Sequence, residues 1–187
     1  MVKFRGFIAV DTPVFPKILE FENEIRNSGA DVKLVEPENI HITLKFLGDT
    51  EEELIDEIED IIKKSIEKIN PFNVKLKSSG VFPNQNYIKV IWIGVENTEN
   101  LGKISSNINE GISKFGFEKE KRRFSAHLTI GRVKSAKNKE RLLQIIKEYS
   151  DVEFGNIDVK FIELKKSELT SKGPFYTTLK EVKLGEK

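Results

Sequence analysis

Apolar residues along the chain follow strand-like and helix-like spacings in an order that occurs twice. The run FIAVDT at residues 7–12 has a counterpart in WIGVENT at residues 92–98. Both predict a strand, and the Asx-Thr pair that ends each of them is typical of a helix N-cap. An amphipathic stretch follows each run and ends at Gly29 or Gly116, either of which suits a helix C-cap. The pattern predicts helices over residues 13–29 and 99–116.

Two further helices and two pairs of strands complete the repeated pattern. Residues 50–69 open with a Thr50–Glu53 capping box and have apolar positions at helical spacing, as do residues 137–150. Strands are predicted as pairs after each helix, over residues 72–82 with 86–95 and over residues 157–169 with 175–184. Each element of the second half therefore has a counterpart in the first half.

The period of this repeat favours one duplicated domain over a solenoid. It is about 86 residues, with a first unit at roughly 4–84 and a second at roughly 86–184. Two units are too few for a solenoid. We therefore expect a single bilobal α+β domain over residues 1–187, with two lobes related by a pseudo-twofold axis. Each lobe is expected to be an antiparallel sheet with flanking helices, around a central cleft.

Composition narrows the chemistry that this domain can perform. The 187 residues are 38% hydrophobic and 33% charged, carry a net charge of +1 and include no cysteine. These values are typical of a soluble globular protein and exclude disulfides and thiolate chemistry. Only two histidines are present, so we expect no metal and no cofactor. With neither a signal peptide nor an apolar run long enough for a membrane span, we expect a cytoplasmic monomer without membrane contact.

The two histidines occur in nearly identical segments, one in each repeat. The first segment reads His41-Ile-Thr43-Leu, and the second reads His127-Leu-Thr129-Ile. On a strand, residues i and i+2 share one face, so each histidine is expected beside its threonine. A single strand histidine is more often a half-buried structural residue, but a symmetric pair that uses every histidine of the chain favours a functional site.

Two imidazoles and two hydroxyls in one cleft suit acid–base chemistry on a phosphate. Near neutral pH one histidine can be neutral and the other protonated, which provides a general base and a general acid. Threonine hydroxyls can donate hydrogen bonds to the non-bridging phosphate oxygens. We therefore predict His41 and His127 as catalytic residues and Thr43 and Thr129 as phosphate ligands, in a reaction that needs no metal.

Three neighbouring features have both a functional and a structural interpretation. Arg132 can neutralise the phosphate, but strand parity turns it away from the cleft unless the strand bends or bulges at Gly131. Phe46 occupies the matching place after His41 and can stack on a nucleobase or pack in the core. The basic stretch around His127 can contact an RNA backbone or be a solvated face. From that stretch we predict backbone contacts by Arg122, Arg123 and Lys134.

The paired motifs resemble those of the two-histidine phosphoesterase superfamily. The segments RGFIAVD, HITLKFLGD, GVFP and FSAHLTIGRVK are similar to the 2′-5′ RNA ligase branch, also described as RNA 2′,3′-cyclic phosphodiesterases. The resemblance implies opening of a terminal 2′,3′-cyclic phosphate on RNA to a 2′-phosphate. It also implies the joining of tRNA halves through a 2′-5′ bond in some members. By the same resemblance, the two histidines are the catalytic pair and the two threonines bind the phosphate.

Two other functions use the same cleft and stay open from the sequence. The protein can act mainly in the joining direction, as a 2′-5′ RNA ligase, or it can bind RNA or nucleotide ends without turnover. Two matched proton carriers favour the enzyme, since a binding module needs neither. The residues that follow the two motifs differ, with Phe46 after the first and Arg132 after the second. This difference predicts that the cyclic phosphate binds in a single orientation. We assign His127 as the base and His41 as the acid.

Overall fold

The computed structural model of the protein describes residues 2–171 and 173–185, in which helices and strands follow the predicted α+β order. The α-helices among these residues are α1 (Pro16–Asn27), α2 (Ile55–Ile66), α3 (Glu99–Ile112) and α4 (Lys139–Glu148). The described strands are β1 (Lys3–Asp11), β2 (Val32–Leu34), β3 (His41–Glu51), β4 (Phe72–Pro83), β5 (Ile88–Glu96), β6 (His127–Val133), β7 (Glu153–Val159), β8 (Phe161–Thr170) and β9 (Gly173–Lys183). The predicted fold class is confirmed. No helix in these residues is long and apolar enough to cross a membrane.

The strands form one antiparallel sheet in which the two histidine strands are neighbours. Its order is β7-β4-β5-β6-β3-β1-β8-β9, and β2 adds to the edge of β6. Strand β4 of the first repeat pairs with β5 of the second, and β8 of the second pairs with β1 of the first. Each half of the sheet therefore takes strands from both repeats. This exchange supports the proposal that residues 1–187 form one bilobal domain.

The central strands β3 and β6 separate a buried face from a cleft face. Ile42, Leu44, Leu128 and Ile130 belong to the hydrophobic core and are at most 4% exposed. The histidine and threonine side chains of the same strands are only partly buried. Because successive side chains of a strand point to opposite faces, the four polar residues share the face away from the core.

Several predicted element boundaries were wrong. Thr50 lies in strand β3, where its hydroxyl donates to the carbonyl of Gly48, so there is no Thr50–Glu53 capping box and α2 begins at Ile55. Helix α1 begins at Pro16 rather than directly after Thr12. Helix α3 begins at Glu99 as predicted, but Thr98 makes no side-chain capping hydrogen bond.

Two predicted helix ends were confirmed, and one predicted strand is two strands in the structure. Gly29 and Gly116 both have the positive φ expected after a helix, +69° and +82°. The predicted strand over residues 157–169 is two strands, β7 and β8, because the chain changes partner between them, from β4 to β1. Strand β2 has three residues and was not predicted.

Candidate active site

The two histidine strands meet at one residue pair in the centre of the sheet. Ile42 of β3 is paired with Leu128 of β6 in antiparallel register. Continuing that register by one residue in each direction places His41 beside Thr129 and Thr43 beside His127. All four side chains lie on the cleft face, and a pseudo-twofold axis through the Ile42–Leu128 pair relates them. The structure thus brings together the residues predicted as the catalytic pair and its phosphate ligands.

A backbone carbonyl two residues upstream orients each imidazole. His41 Nδ1 lies 2.8 Å from the carbonyl oxygen of Asn39, and His127 Nδ1 lies 2.9 Å from that of Ser125. A carbonyl oxygen only accepts hydrogen bonds, so Nδ1 carries the proton in both rings. In the neutral tautomer, Nε2 then has a free lone pair. Both histidines are therefore held with the same nitrogen available for proton transfer.

His41 also has a local partner for its second nitrogen. The hydroxyl of Thr43 lies 2.9 Å from His41 Nε2. Since Nε2 has the lone pair in the neutral ring, the threonine donates this hydrogen bond. The hydroxyl predicted to bind phosphate is therefore already beside the atom predicted to transfer a proton.

Aromatic rings pack against both imidazoles, but they differ between the two halves. His41 lies with its ring centroid 4.9 Å from that of Phe7 and 5.5 Å from that of Tyr176. His127 instead has Phe82 at 5.2 Å in an edge-on arrangement. None of these three aromatic residues was predicted from the sequence. The rings come from β1, β4 and β9, and nothing in their local sequence indicates which of them face the cleft.

The surroundings of His41 shift its pKa downward. Burial is the main cause, because it penalises the charged imidazolium, and the positive charges of Lys165 and His127 act in the same direction. The carbonyl of Asn39 and the carboxylate of Asp11 oppose this shift. The charge state of the His41 ring therefore depends on its burial and on the charges of Asp11, Lys165 and His127.

A bulge in each histidine strand turns the next functional side chain into the cleft. In β6, Thr129 pairs with Trp92 and Gly131 pairs with Ile91, so Ile130 is an extra residue. The insertion breaks the alternation, and Ile130 and Gly131 are both buried. Arg132, three residues after Thr129, consequently lies on the same face as that threonine. The bulge that the sequence analysis required is present.

Strand β3 has the matching irregularity. Thr43 pairs with Ala9 and Lys45 pairs with Ile8, so Leu44 is the extra residue. Phe46 therefore shares the cleft face with Thr43, and its ring centroid lies 6.4 Å from that of Phe7. The side chain of Phe46 is 68% exposed, so the core interpretation of this phenylalanine was wrong. Phe46 and Arg132 are equivalent positions under the pseudo-twofold axis.

The charge of Arg132 reaches the cleft near Tyr176. Burial raises the pKa of the Tyr176 phenol, and the positive charges of Arg132, Arg5 and Lys165 counteract that rise. Tyr176 contacts the ring of His41, so this effect is consistent with a guanidinium on the cleft side of the sheet. Arg132 is also paired with Val90, which is paired with Phe82, and the ring of Phe82 packs against His127. These observations favour a position of Arg132 on the cleft face, and its role in binding phosphate stays a prediction.

The predicted basic cluster is divided between the two ends of the site. Arg122 lines an open cavity of about 440 Å³ beside Phe46, together with Lys119 and Lys121. Arg123 is exposed next to Arg122. Lys134 directly follows β6, at the end of the cleft where Arg132 lies. Strand β6, about 20 Å long at about 3.3 Å per residue, lies between the two groups.

The described residues offer no obvious alternative chemistry. Among residues 2–171 and 173–185, no three or more His, Asp or Glu side chains are grouped closely enough to hold a metal ion. The candidate active site therefore consists of two imidazoles, two hydroxyls and a guanidinium on one face of the sheet.

Comparison with known families accounts for this arrangement. A family model described as the AKAP7 2′5′ RNA ligase-like domain matches residues 7–184, which is nearly the whole chain. The chain belongs to the 2′-5′ RNA ligase-like family. The predicted resemblance to this branch of the two-histidine phosphoesterases is confirmed.

Relatives within the 2′-5′ RNA ligase-like family are similar over nearly their full length. A protein of Methanocaldococcus jannaschii named RNA 2′,3′-cyclic phosphodiesterase is 46% identical over 95% of this chain and 99% of its own. A protein of Methanothermobacter thermautotrophicus with the same name is 38% identical over 98% of this chain and 100% of its own.

Solved structures of the family share the fold. A crystal structure of a Thermus thermophilus protein superposes with a TM-score of 0.81 at 26% identity, covering 96% of this chain and 97% of that one. Escherichia coli LigT, crystallised with 3′-AMP, superposes with a TM-score of 0.74 at 20% identity, covering 99% and 100%. The curled antiparallel sheet with flanking helices is therefore the fold of this family.

Proposed function

We propose that this protein is an RNA 2′,3′-cyclic phosphodiesterase that opens a terminal 2′,3′-cyclic phosphate to a 2′-phosphate. The observation that supports it is the paired His and Thr side chains on one sheet face, with Nδ1 of both rings held by a backbone carbonyl. Nε2 of each ring is thereby the nitrogen that transfers the proton, and in His41 it accepts a hydrogen bond from Thr43. The named activity of the relatives supports the same conclusion.

The two histidines divide the proton transfers of the reaction. One neutral imidazole accepts a proton from water at Nε2 as the water oxygen bonds to phosphorus. The other imidazole, protonated, donates its Nε2 proton to the 3′ oxygen as the bond from phosphorus to that oxygen breaks. The product then has a 2′-phosphate and a free 3′ hydroxyl. We propose His127 as the base and His41 as the acid. Burial lowers the pKa of His41 and so favours its neutral form, which argues against this assignment. The pH dependence of the rate tests which histidine has which role.

The phosphate is held by groups on both strands. Thr43 and Thr129 lie on opposite sides of the Ile42–Leu128 pair, so their hydroxyls can donate to two different non-bridging oxygens. Arg132 follows Thr129 on the same face and supplies a positive charge at the His41 end. Charge develops on these oxygens during the displacement, and fixed donors stabilise it.

The substrate is an RNA end rather than a free phosphate. Phe46 presents an exposed ring at the His127 end, where a nucleobase can stack on it. Arg122 and Arg123 then contact the RNA backbone beyond that base, and Lys134 contacts RNA at the opposite end. The halves of a cleaved tRNA carry such ends and are candidate substrates. Because one chain supplies both histidines, we propose that the monomer is the active form.

Hydrolysis of a defined oligonucleotide tests the proposal. An RNA ending in a 2′,3′-cyclic phosphate is incubated with the protein in EDTA, and the products are identified by ³¹P NMR. We expect a 2′-phosphate as the predominant product. A 3′-phosphate, or an even mixture, would refute the single oriented binding mode. Tight binding without turnover would favour the binding module.

The joining direction is tested with the same protein. An RNA with a 2′,3′-cyclic phosphate is mixed with a second RNA that has a 5′ hydroxyl, and the products are treated with a nuclease that cuts only 3′-5′ bonds. A resistant junction that forms faster than the cyclic phosphate is hydrolysed would favour the ligase as the main activity. We expect hydrolysis to be faster, because water is in large excess over the second RNA.

A further inference from the structure

A group of three charged side chains lies beside His41, outside the proposed proton-transfer machinery; Lys165 and Glu163 are buried and the Asp11 side chain is half exposed. The ammonium of Lys165 is 2.6 Å from both carboxylate oxygens of Asp11 and 3.1 Å from Oε2 of Glu163. The hydroxyl of Thr178 donates to the same oxygen of Glu163 at 2.7 Å. Lys165 and Glu163 are only 7% and 8% exposed. Removing such charges from water is costly, so their retention requires a reason beyond solubility.

This group is positioned to act on His41. Asp11 of β1 is the residue paired with His41 of β3. Lys165 of β8 is paired with Phe7, whose ring packs against His41. The charges of both Asp11 and Lys165 act on the imidazole, in opposite directions. The other titratable groups facing this ring are Tyr176 of β9 and His127 of β6.

The second half of the sheet provides an internal comparison. Counting along the paired strands from each histidine, Asp11 corresponds to Gly94, Glu163 to Gly80 and Lys165 to Phe82. His127 therefore has two glycines and a phenyl ring where His41 has three charged residues.

Packing maintains this difference. A Cβ atom at Gly94 would lie 2.6 Å from the carbonyl oxygen of Lys77, and one at Gly80 would overlap the ring of Trp92. Neither position can accept a carboxylate without a shift of backbone or of the indole. The charged group is thus specific to the His41 half of the site.

We propose that Asp11 and Lys165 are positioning residues for His41, in which the buried ammonium holds the Asp11 carboxylate on the strand position paired with His41 and biases the charge state of this imidazole, with no equivalent pair at His127. The expected effect of these residues on turnover rests on the proposed function, whereas their effect on the titration of His41 does not. The two histidines already differ in their aromatic neighbours. The charged group adds an electrostatic difference between them, which favours one as the acid and the other as the base.

Histidine titration by NMR tests this proposal without relying on activity. The chain has only two histidines, so the Hε1 ring protons give two resonances that His127→Ala assigns. Asp11→Asn removes a negative charge and is expected to lower the pKa of His41 while leaving that of His127 nearly unchanged. Lys165→Met, combined with Glu163→Gln so that no buried carboxylate loses its counter-ion, is expected to raise the pKa of His41.

Lys180→Met provides a matched control on the same hairpin. Lys180 is also paired with two carboxylates, at 2.8 Å to Asp56 and 2.7 Å to Glu59. It lies next to Leu164, on the face of the hairpin away from His41. We expect this variant to leave both titrations unchanged. The proposal would be overturned if Asp11→Asn left the pKa of His41 unchanged, as the control does, or shifted the pKa of both histidines equally.

Turnover of the cyclic phosphate gives the second measurement. Asp11→Asn is expected to lower kcat by about 10-fold, with KM little changed, because a small misplacement of a catalytic group is costly. The pH–rate profile should shift in one limb only, and that limb identifies the role of His41. If the wild-type protein shows no turnover, the proposed function fails while the NMR result still decides the positioning role.

Discussion

At the scale of single residues, each proposed catalytic imidazole presents only Nε2 to the cleft, because Nδ1 donates to the carbonyl of Asn39 or Ser125. His41→Ala and His127→Ala should each lower kcat by about 10²–10⁴-fold, the usual contribution of a positioned acid or base. The double variant should lose far less than the product of the two factors, since the pair acts as a unit. Single-turnover assays of the oligonucleotide measure this, and near-normal turnover of either variant would contradict the assignment.

The phosphate ligands make a separate prediction at the same scale. A hydrogen bond to a charged group contributes about 1.5–3 kcal/mol, so Thr43→Ala and Thr129→Ala should each lower kcat/KM by roughly 10- to 100-fold. Arg132→Ala should have a similar effect, and Arg132→Lys should restore only part of it, because lysine lacks the bidentate fork.

Thr177→Ala is the control for the threonine variants, since Thr177 is exposed on β9 and pairs with Lys166 rather than with the cleft residues. Unchanged kinetics of Arg132→Ala beside two impaired threonine variants would remove the arginine from the site.

The sequence could predict these residues because each motif is local. His41 and Thr43 are two residues apart, and strand periodicity alone places them on one face. The charged group around His41 could not be predicted in the same way. Lys165 and Asp11 are 154 residues apart, and their contact depends on β8 of the second repeat pairing with β1 of the first. Nothing in either local sequence indicates that pairing.

At the scale of secondary-structure elements, the bulge in β6 determines where Arg132 points. Gly131 is next to the inserted residue, and strand β2 packs against it. A Cβ atom there would lie 2.8 Å from Cγ1 of Val32 and 3.3 Å from the carbonyl oxygen of Lys33. Gly131→Ala should therefore cost about 1–3 kcal/mol of unfolding free energy by overpacking. It should also lower kcat/KM, because β2 and β6 must separate near Arg132.

Gly102→Ala is the matched control for this prediction. Gly102 lies inside α3, and a Cβ atom added there meets nothing within 4 Å. Alanine favours a helix by about 0.8–1.0 kcal/mol over glycine, so this variant should be stabilised, with unchanged turnover. Urea unfolding of both variants measures the difference. Equal stability of the two would show that β2 does not press on Gly131.

The same scale shows why helix starts were predicted less well than helix interiors. The apolar positions of α2 agree with the predicted spacing, and Ile58 and Ile62 are fully buried. The Thr50–Glu53 pattern was misleading because β3 continues to Glu51 and pairs with β1 as far as Lys3. Tertiary pairing of a strand therefore took precedence over a local capping motif.

At the scale of the whole molecule, the exchange of strands between the repeats makes each half of the site depend on both. The His41 half needs β8 and β9 from the second repeat, and the His127 half needs β4 from the first. Neither repeat alone can provide a complete half of the sheet. Separate expression of residues 4–84 and 86–184 should therefore give no turnover and no cooperative unfolding from either piece, as measured by circular dichroism. A cooperatively folding fragment would contradict this interdependence.

A buried carboxyl outside the proposed active site makes the stability of the whole protein depend on pH. Glu22 of α1 is 2% exposed, and its Oε1 has no hydrogen-bond partner in the described part of the chain. Burial raises the pKa of this carboxyl from about 4.5 to about 7, assisted by the charges of Glu36 and Glu38 and opposed by Arg26. The folded protein thus binds the proton more tightly than the unfolded chain does. The resulting contribution to stability is complete below pH 4.5 and is lost as the pH rises through about 7.

Glu22→Gln should remove this dependence, because glutamine is neutral throughout the range. The shift corresponds to about 3 kcal/mol, so the variant should gain about that much relative to wild type between pH 4.5 and pH 8. His41, whose pKa is lowered, acts in the opposite direction in wild type and variant alike, and comparing the two removes its effect. Glu20→Gln on the same helix is the control, since Lys17 lowers the pKa of that exposed carboxyl and the sign is reversed. Urea unfolding at the two pH values measures the change. An equal pH dependence of wild type and Glu22→Gln would mean that Glu22 ionises normally, with water reaching its carboxyl group.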